Sequence, residues 1–386
     1  MNVDVNTKTN DELLSKTISY LRFPLTVLVV FIHFDMSQGL DIKGLTYGLN
    51  NPDWYFFIVN LISGTLAAIS VPLFLVISGF LFFYRKDFSG DVYKQKLKSR
   101  AKTLLVPFIL WNVIAILWQL KCFLPGVSAF YPPVKVQITP MRVLSTFFCN
   151  YNGIFVSAQN AGWKGVIIPI DGPLWYVRDL MVMVLLSPVI HWLIKKTGFW
   201  FVAINALMWF LSPLFLSKDS PFEFYISILV AVSFFFSWGA YYSIGKENLM
   251  IRFRRMKYAP YLYVFVAIAD VLTKGTDYNS YINKAGILLG IVSMVLIASY
   301  LAENKKVKVN STLANSSFFI FALHFMIINN IGKMAFIMLH VPENNPYEML
   351  ALYFGTVIFT ILICLGLYVL LRRCTPRVCN VLTGGR

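Results

Sequence analysis

The sequence predicts an all-α, polytopic integral membrane protein with about ten transmembrane helices and both termini in the cytoplasm. Of its 386 residues, 58% are hydrophobic and only 13% are charged, whereas about a quarter are charged in a typical soluble domain. Ten apolar runs are long enough to cross the hydrocarbon, and the basic residues between them fall mostly on one side. Soluble, disordered and collagen-like classes are therefore excluded.

The ten apolar runs define the predicted spans. Each is far longer than the alternating segments of a barrel strand, so helices are predicted rather than strands. The runs cover residues 18–36, 60–83, 103–120, 173–194, 199–216, 222–244, 258–272, 281–301, 313–337 and 349–371. We expect one integral-membrane domain over residues 1–386, with its first span retained rather than removed as a signal peptide.

The basic residues set the predicted orientation. Of the 34 Lys and Arg residues, 23 lie in segments that share a side with both termini and nine lie in the segments opposite. Lys and Arg accumulate in cytoplasmic loops, so both termini are placed inside, with the lipid bilayer as the main partner. The densest basic loop covers residues 85–102. Attraction to anionic lipid and binding of a phosphate-bearing ligand both explain it, and no nucleic-acid partner is predicted.

One long extramembrane segment, residues 121–172, is predicted outside, between the third and fourth spans. It is rich in Pro, Gly, Asn and aromatic residues, and loops of this length are often functional. It holds Cys122 and Cys149, for which one disulfide and two free thiols are both open. The five cysteines lack metal-ligand spacing, so no metal site is predicted.

Arg22 and His33, two residues with basic side chains, lie in the first predicted span. A separation of 11 residues returns to nearly the same helix face, and ionisable groups in a span usually face the bundle interior or a wet cavity. An imidazole can exchange a proton with an alcohol, and a guanidinium can hold a carbonyl oxygen or a phosphate. The alternatives are a snorkelling arginine and a packed, hydrogen-bonded histidine. The acids that are candidates to orient His33 are Asp35, Asp171, Asp179 and Asp270.

A second polar cluster stands where the fourth span enters from outside. Trp175, Tyr176, Arg178 and Asp179 supply aromatic faces, donors and an acceptor, which suits a sugar. An interfacial aromatic belt with a local ion pair is the alternative. His324, near the middle of the ninth span, is a possible secondary site residue, although a lone buried histidine is more often structural.

The first of these motifs resembles that of acyltransferase family 3, the membrane-bound O-acyltransferases that act on bacterial cell-surface glycans. Arg22, ten intervening residues and His33 fit the family's Arg-x10-His signature in its first helix. Residues 71–81 are similar to its second-helix motif, in which Ser78 and Gly79 would permit close helix contact. The resemblance covers nearly the whole chain.

Two further stretches extend this resemblance. Residues 173–188 resemble the family's Leu-Trp-Phe-Leu stretch, and residues 317–324 resemble its late Ser-Phe-x-Ile-Tyr-x-x-His segment. Many members also carry an Arg-x-x-Arg pair before the third helix. Here Arg100 is followed by Lys102 and by Thr103 at the pair's second place.

The resemblance implies an enzyme that moves an acyl group, most often acetyl, from cytoplasmic acyl-CoA to a hydroxyl of a surface sugar or glycan. Acetyl-CoA would be a substrate, so no permanently bound cofactor is expected. His33 would act as general base or carry the acyl group transiently, beside the catalytic Arg22. The donor would be held by Arg85, Arg100 and Lys102, and the acceptor by Trp175, Tyr176, Arg178 and Asp179. The enzyme would lie in the inner (plasma) membrane of a bacterial cell.

Two other classes of protein share ten helices with intramembrane charge. One is a transporter or flippase of lipid-linked or polymeric sugars, and the other is a membrane sensor without turnover. Transporters often show internal repeats and helices broken near the midplane, and the sequence shows neither clearly.

Overall fold

The computed structural model describes residues 2–42, 44–85, 87–124, 134–149, 153–157, 167–216, 220–303 and 308–385. These residues are predominantly helical, which confirms the all-α fold class. The helices are α1 (Asn2–Ile32), α2 (Asp53–Val59), α3 (Ser70–Phe83), α4 (Gly90–Arg100), α5 (Val106–Gln119), α6 (Pro140–Phe148), α7 (Trp175–Thr197), α8 (Phe199–Leu211), α9 (Pro221–Ile244), α10 (Leu249–Arg254), α11 (Ala259–Leu272), α12 (Asn279–Glu303), α13 (Ser311–Met338), α14 (Pro346–Cys374) and α15 (Pro376–Thr383).

Eight helical stretches in the described ranges are long and apolar enough to cross a membrane. Two of them are composite, because π-helical turns at Asn60–Leu66 and Ala101–Leu105 join α2 to α3 and α4 to α5. The fifth and seventh predicted spans correspond to α8 and α11, which are shorter. At about 1.5 Å per residue, the 14 residues of α11 extend about 21 Å, less than the roughly 30 Å of the hydrocarbon. The protein is a multi-pass membrane protein whose apolar helices differ in length.

The first span ends earlier than predicted. Helix α1 ends at Ile32, and the His33 amide donates to the carbonyl oxygen of Val30 at 3.2 Å in the following turn. The Asp35 carboxylate then accepts from the backbone amide of Ser37 at 2.9 Å. Such an Asx turn competes with helical hydrogen bonding. His33 therefore lies in the turn after α1 rather than inside the helix.

Helix α1 lies in the centre of the bundle, against α3, α12, α13 and α14. Beside it, α3 and α9 approach each other closely through glycines. A Cβ atom on Gly79 would lie 2.0 Å from the Phe236 carbonyl oxygen, and one on Gly239 would lie 1.9 Å from that of Val76. Only glycine permits this backbone contact, which confirms the close approach expected at Gly79.

Two small hairpins stand outside the helical bundle. Strand β1 (Leu40–Ile42) pairs antiparallel with β2 (Leu45–Tyr47) after the first span. In the long segment, β3 (Val134–Val136) pairs antiparallel with β4 (Phe155–Ser157), and α6 lies between them in sequence. The segment is attached to the bundle at its end, where it contacts α7.

Cys122 and Cys149 are both free thiols. The Cys122 sulfur accepts from Gln119 Nε2 at 3.5 Å, and the Cys149 sulfur is 3.3 Å from Ser145 Oγ. Of the two open alternatives for this pair, the structure shows the reduced one.

Candidate active site

A cavity of about 180 Å³ lies inside the bundle between α1, α3, α7 and α13. Most of its wall is aliphatic or aromatic. The hydroxyl oxygens of Ser78 and Tyr176 are hydrogen-bonded across it at 3.0 Å. Its polar lining residues are Arg22, Thr26, Ser78, Arg100, Tyr176, Asn315 and Ser317. An apolar chamber with a few convergent polar groups is typical of a small-molecule site.

Two arginines reach this cavity from different helices. Arg22 comes from α1 and Arg100 from the end of α4, and both are half-buried. Neither side chain has a hydrogen-bond or ion-pair partner among the residues that the structure describes. Removing an unpaired guanidinium from water is costly unless a ligand compensates it. The pair is therefore suited to an anion or a polarised oxygen entering the cavity.

His33 is in contact with His324, the histidine of the ninth predicted span. Their ring centroids are 5.2 Å apart, and Phe325 flanks His33 at 5.1 Å. His324 is fully buried, with its Nδ1 atom 3.0 Å from the carbonyl oxygen of Ile320. Because a carbonyl only accepts, we assign the proton to Nδ1 and the lone pair to Nε2. Within the described ranges Nε2 has no partner, so this nitrogen is available to accept a proton.

One aromatic ring separates the histidine pair from the cavity. Neither His33 nor His324 is a lining residue. Phe321, which does line the cavity, lies 6.0 Å from the Tyr176 ring and 6.4 Å from the His324 ring, between centroids. Phe321 and His324 are three residues apart on α13, so they share a helix face. The arginine-lined chamber and the histidine pair are thus adjacent parts of one interior region.

Arg178 and Asp179 are buried and bonded to each other. Arg178 Nε is 2.7 Å from Asp179 Oδ1, and Nη2 is 3.2 Å from Oδ2. The remaining donor of Arg178, Nη1, reaches the carbonyl oxygens of Phe148 and Ile167 in the outer segment. Neither residue lines the cavity. We interpret the pair as a clamp that holds the outer segment on α7, and its predicted contact with an acceptor sugar stays a prediction.

Trp175 and Tyr176, the aromatic residues that precede this clamp in sequence, differ in whether they line the cavity. Tyr176 lines the cavity, whereas Trp175 is half-buried and packs against the hydrophobic core. Of the four residues predicted to meet an acceptor, Tyr176 alone lines this chamber in the described part of the chain.

Replacing Arg178 with Met should destabilise the protein by about 3–5 kcal/mol, because Asp179 would remain as a buried, unpaired carboxylate. The double variant Arg178→Met/Asp179→Leu should recover part of that loss. Thermal unfolding in detergent measures both variants, and limited proteolysis reports whether the outer segment has been released. A double variant no more stable than the single one would contradict the clamp.

The three basic residues expected to hold the donor are separated in the structure. Arg100 lines the cavity, whereas Lys102 is exposed on the π-helical turn. Arg85 pairs with Asp11 at 2.5 Å on the wall of a second cavity of about 500 Å³, which His191 also lines. Hydrogen bonds that Arg85 donates to the Tyr84 hydroxyl oxygen and to the Asp11 carboxylate raise the pKa of Arg85. The geometry favours Arg100 as the donor contact over the other two.

A third cavity, of about 350 Å³, adjoins the first at the predicted cytoplasmic side. We call this third cavity the mouth. The residues common to both are Leu81, Phe82 and Arg100. Lys96 lines this mouth, and its Nζ donates to the Phe82 carbonyl oxygen. Lys96 belongs to the predicted basic loop of residues 85–102 but was not among the residues predicted to hold the donor, although its spacing of four residues from Arg100 places both on one face of α4. Gly384 and Gly385 also line the mouth, and no sequence signal indicated them.

The four acids proposed to orient His33 have different surroundings. Asp35 bonds to Ser37, and Asp179 bonds to its neighbouring arginine. Asp270 forms an ion pair with Lys274 and accepts hydrogen bonds from Thr65 and from two asparagine side chains. Asp171 is fully buried, and neither carboxylate oxygen has a partner among the described residues. Burial raises the pKa of Asp171 well above its usual range. The turn that follows Asp171 packs against α13, beside the histidine pair.

Comparison with known proteins identifies the family of the chain. The family model described as an acyltransferase domain, that of acyltransferase family 3, matches residues 16–369. The succinoglycan biosynthesis protein ExoH of Rhizobium meliloti is 26% identical over 384 residues, which cover 97% of this chain and 94% of that protein. No solved structure shows a significant match. The chain therefore belongs to acyltransferase family 3 and is a membrane O-acyltransferase.

Proposed function

We propose that the protein transfers an acetyl group from cytoplasmic acetyl-CoA to a hydroxyl of a bacterial polysaccharide, in the inner membrane. The observation that carries the proposal is the cavity in which Arg22 and Arg100 are unpaired, one aromatic ring from the two histidines. The similarity to a protein of succinoglycan biosynthesis supports a polysaccharide as the acceptor.

The shape and charge of the interior fit the two ends of an acyl-CoA. Its phosphates would meet Lys96 and Arg100 at the mouth, since paired guanidinium donors and lysine point charges both bind phosphate. Its apolar arm would lie along the aliphatic and aromatic wall of the chamber. Arg22 lines the inner chamber but not the mouth, which suits contact with the thioester carbonyl.

The residues support direct transfer of the acetyl group, in which the proton lost by the hydroxyl ends on the CoA sulfur. The imidazole of His33 takes the proton of the acceptor hydroxyl while the hydroxyl oxygen attacks the thioester carbonyl carbon. Arg22 stabilises the negative charge on the carbonyl oxygen in the tetrahedral intermediate. The carbon–sulfur bond then breaks, and the leaving thiolate receives the proton from the imidazolium. The products are the sugar ester and free CoA thiol.

His324 contributes a second basic nitrogen to this scheme. Because its Nδ1 proton is committed to Ile320, Nε2 can accept a proton from, or return one to, its neighbour His33. A covalent route, in which His33 carries the acyl group, is the second mechanism. Rapid quenching without acceptor separates the two, because only the covalent route releases one equivalent of CoA thiol before turnover.

The function is tested with the purified protein in vesicles supplied with acetyl-CoA labelled in the acetyl group. We expect label to appear in an alkali-labile ester on added polysaccharide, together with one CoA thiol per ester. The His33→Ala variant is the matched control and should give no ester. Movement of polysaccharide across the vesicle membrane without ester formation would instead support a transporter.

A further inference from the structure

We infer that the C-terminal segment, α15 with Gly384 and Gly385, forms one wall of the site that holds the phosphate-bearing end of the acyl-CoA donor. This inference rests on the proposed function. It assigns a role to a segment that lies more than 270 residues from α4 in sequence and that carries none of the motifs of the active site.

Helix α15 is fixed to the bundle by its buried face. Cys379, Leu382 and Thr383 are almost fully buried. The indole Nε1 of Trp111, itself buried on α5, donates to the Leu382 carbonyl oxygen at 3.0 Å. The helix also packs against α13 and α14. These contacts place the end of α15 against the mouth rather than in free solvent.

Gly384 requires glycine for two reasons, of which its neighbour Gly385 shares the first. Gly384 and Gly385 have φ angles of 66° and 77°, in the left-handed region that glycine occupies at little cost. A Cβ atom on Gly384 would also lie 2.3 Å from the carbonyl oxygen of Thr103. Because Thr103 belongs to the π-helical turn that leads into α5, the segment lies directly on the helix that carries Arg100.

The composition of the mouth matches a phosphate-bearing ligand. Lys96 and Arg100 line it, and no carboxylate does so within the described ranges. Ser99 adds a hydroxyl, and the two glycines leave the opposite wall free of side chains. The phosphate groups of a ligand can therefore approach this wall closely, while Lys96 and Arg100 face the phosphates. A change in this wall should therefore lower kcat/KM for acyl donors that carry phosphates and leave kcat/KM unchanged for donors that lack them.

The test compares acetyl-CoA with S-acetyl-N-acetylcysteamine, a thioester that retains the acyl end and lacks every phosphate. In Gly384→Ala, the ratio of kcat/KM for acetyl-CoA to kcat/KM for the short thioester should fall about tenfold, through a higher KM for acetyl-CoA. Gly366→Ala is the matched control, because a Cβ atom at Gly366 on α14 would meet nothing within 4 Å. Its ratio should equal that of the unaltered protein.

A second variant protects the test against misfolding of the segment. Lys96→Met keeps the length of the side chain, leaves α15 intact and should lower the same ratio. An equal loss with both thioesters, or an unchanged ratio in both variants, would overturn the inference while leaving acetyl transfer established. If the unaltered protein forms no ester from either thioester, the proposed function and the inference both fail.

Discussion

Replacing His33 with Ala should reduce acetyl transfer by at least about a thousandfold, because the acceptor hydroxyl would lose the base that takes its proton. Accumulation and membrane insertion should stay unchanged, since His33 lies in a turn and not within α1. The measurement is the initial rate of ester formation, normalised to the amount of folded protein in size-exclusion chromatography. Retained activity would refute the catalytic role.

His191→Ala provides the matched control for this result. His191 packs against the rings of Phe83 and Phe88 on the wall of the second cavity, with centroid distances of 6.0 and 4.8 Å. Its loss removes an imidazole of the same size from another part of the molecule, so activity should fall less than about threefold, the small effect of a partly exposed position. Similar losses in both variants would mean that folding, rather than catalysis, had been disturbed.

Replacing Arg22 with Met should lower kcat for acetyl transfer by about a hundredfold, because the charge that develops on the thioester carbonyl oxygen would lose its donor. Arg22→Lys should recover only part of this loss, since lysine cannot reproduce the planar pair of donors. A decrease confined to KM would place Arg22 on the phosphates of the donor and not on the reacting carbonyl.

Arg85→Met is the matched control for Arg22. Arg85 is an exposed arginine that pairs with Asp11 in the second cavity, and exposed ion pairs contribute little to stability. Activity should therefore change little. If Arg85→Met reduced kcat as strongly as Arg22→Met, the conclusion that the donor binds in the first cavity and not in the second would be wrong.

The proposed reaction requires access from both sides of the membrane, and the structure separates the two approaches. The mouth with Lys96, Arg100 and the C-terminal glycines lies at the predicted cytoplasmic side. Arg178 and Asp179 hold the outer segment near the start of α7, at the predicted outer side. This clamp holds Phe148 and Ile167 of the outer segment on α7, and the turn after Asp171 packs against α13 near the histidine pair. The acceptor would therefore meet a preorganised surface on the outer side.

Much of the fold could be predicted because membrane insertion depends on local properties of the chain. Hydropathy and the distribution of lysine and arginine predict the order of the helices. The 11-residue spacing predicts a shared helix face for Arg22 and His33, but α1 ends before His33, and Arg22 lines the cavity whereas His33 does not. What these patterns could not predict was the short length of α8 and α11, or the Asx turn at Asp35 that ends the first span before His33.

The sequence by itself determined that this chain is an all-α membrane protein, and the Arg22 and His33 signature indicated its family before any contact was known. Only the tertiary structure decided that His324 contacts His33, that Arg22 and Arg100 share one cavity, and that the C-terminal glycines line its mouth. The physical reason is that a helical period fixes which side chains share a face of one helix. Which faces then meet depends on packing between helices that lie far apart in the chain, and hydropathy carries no information about that choice.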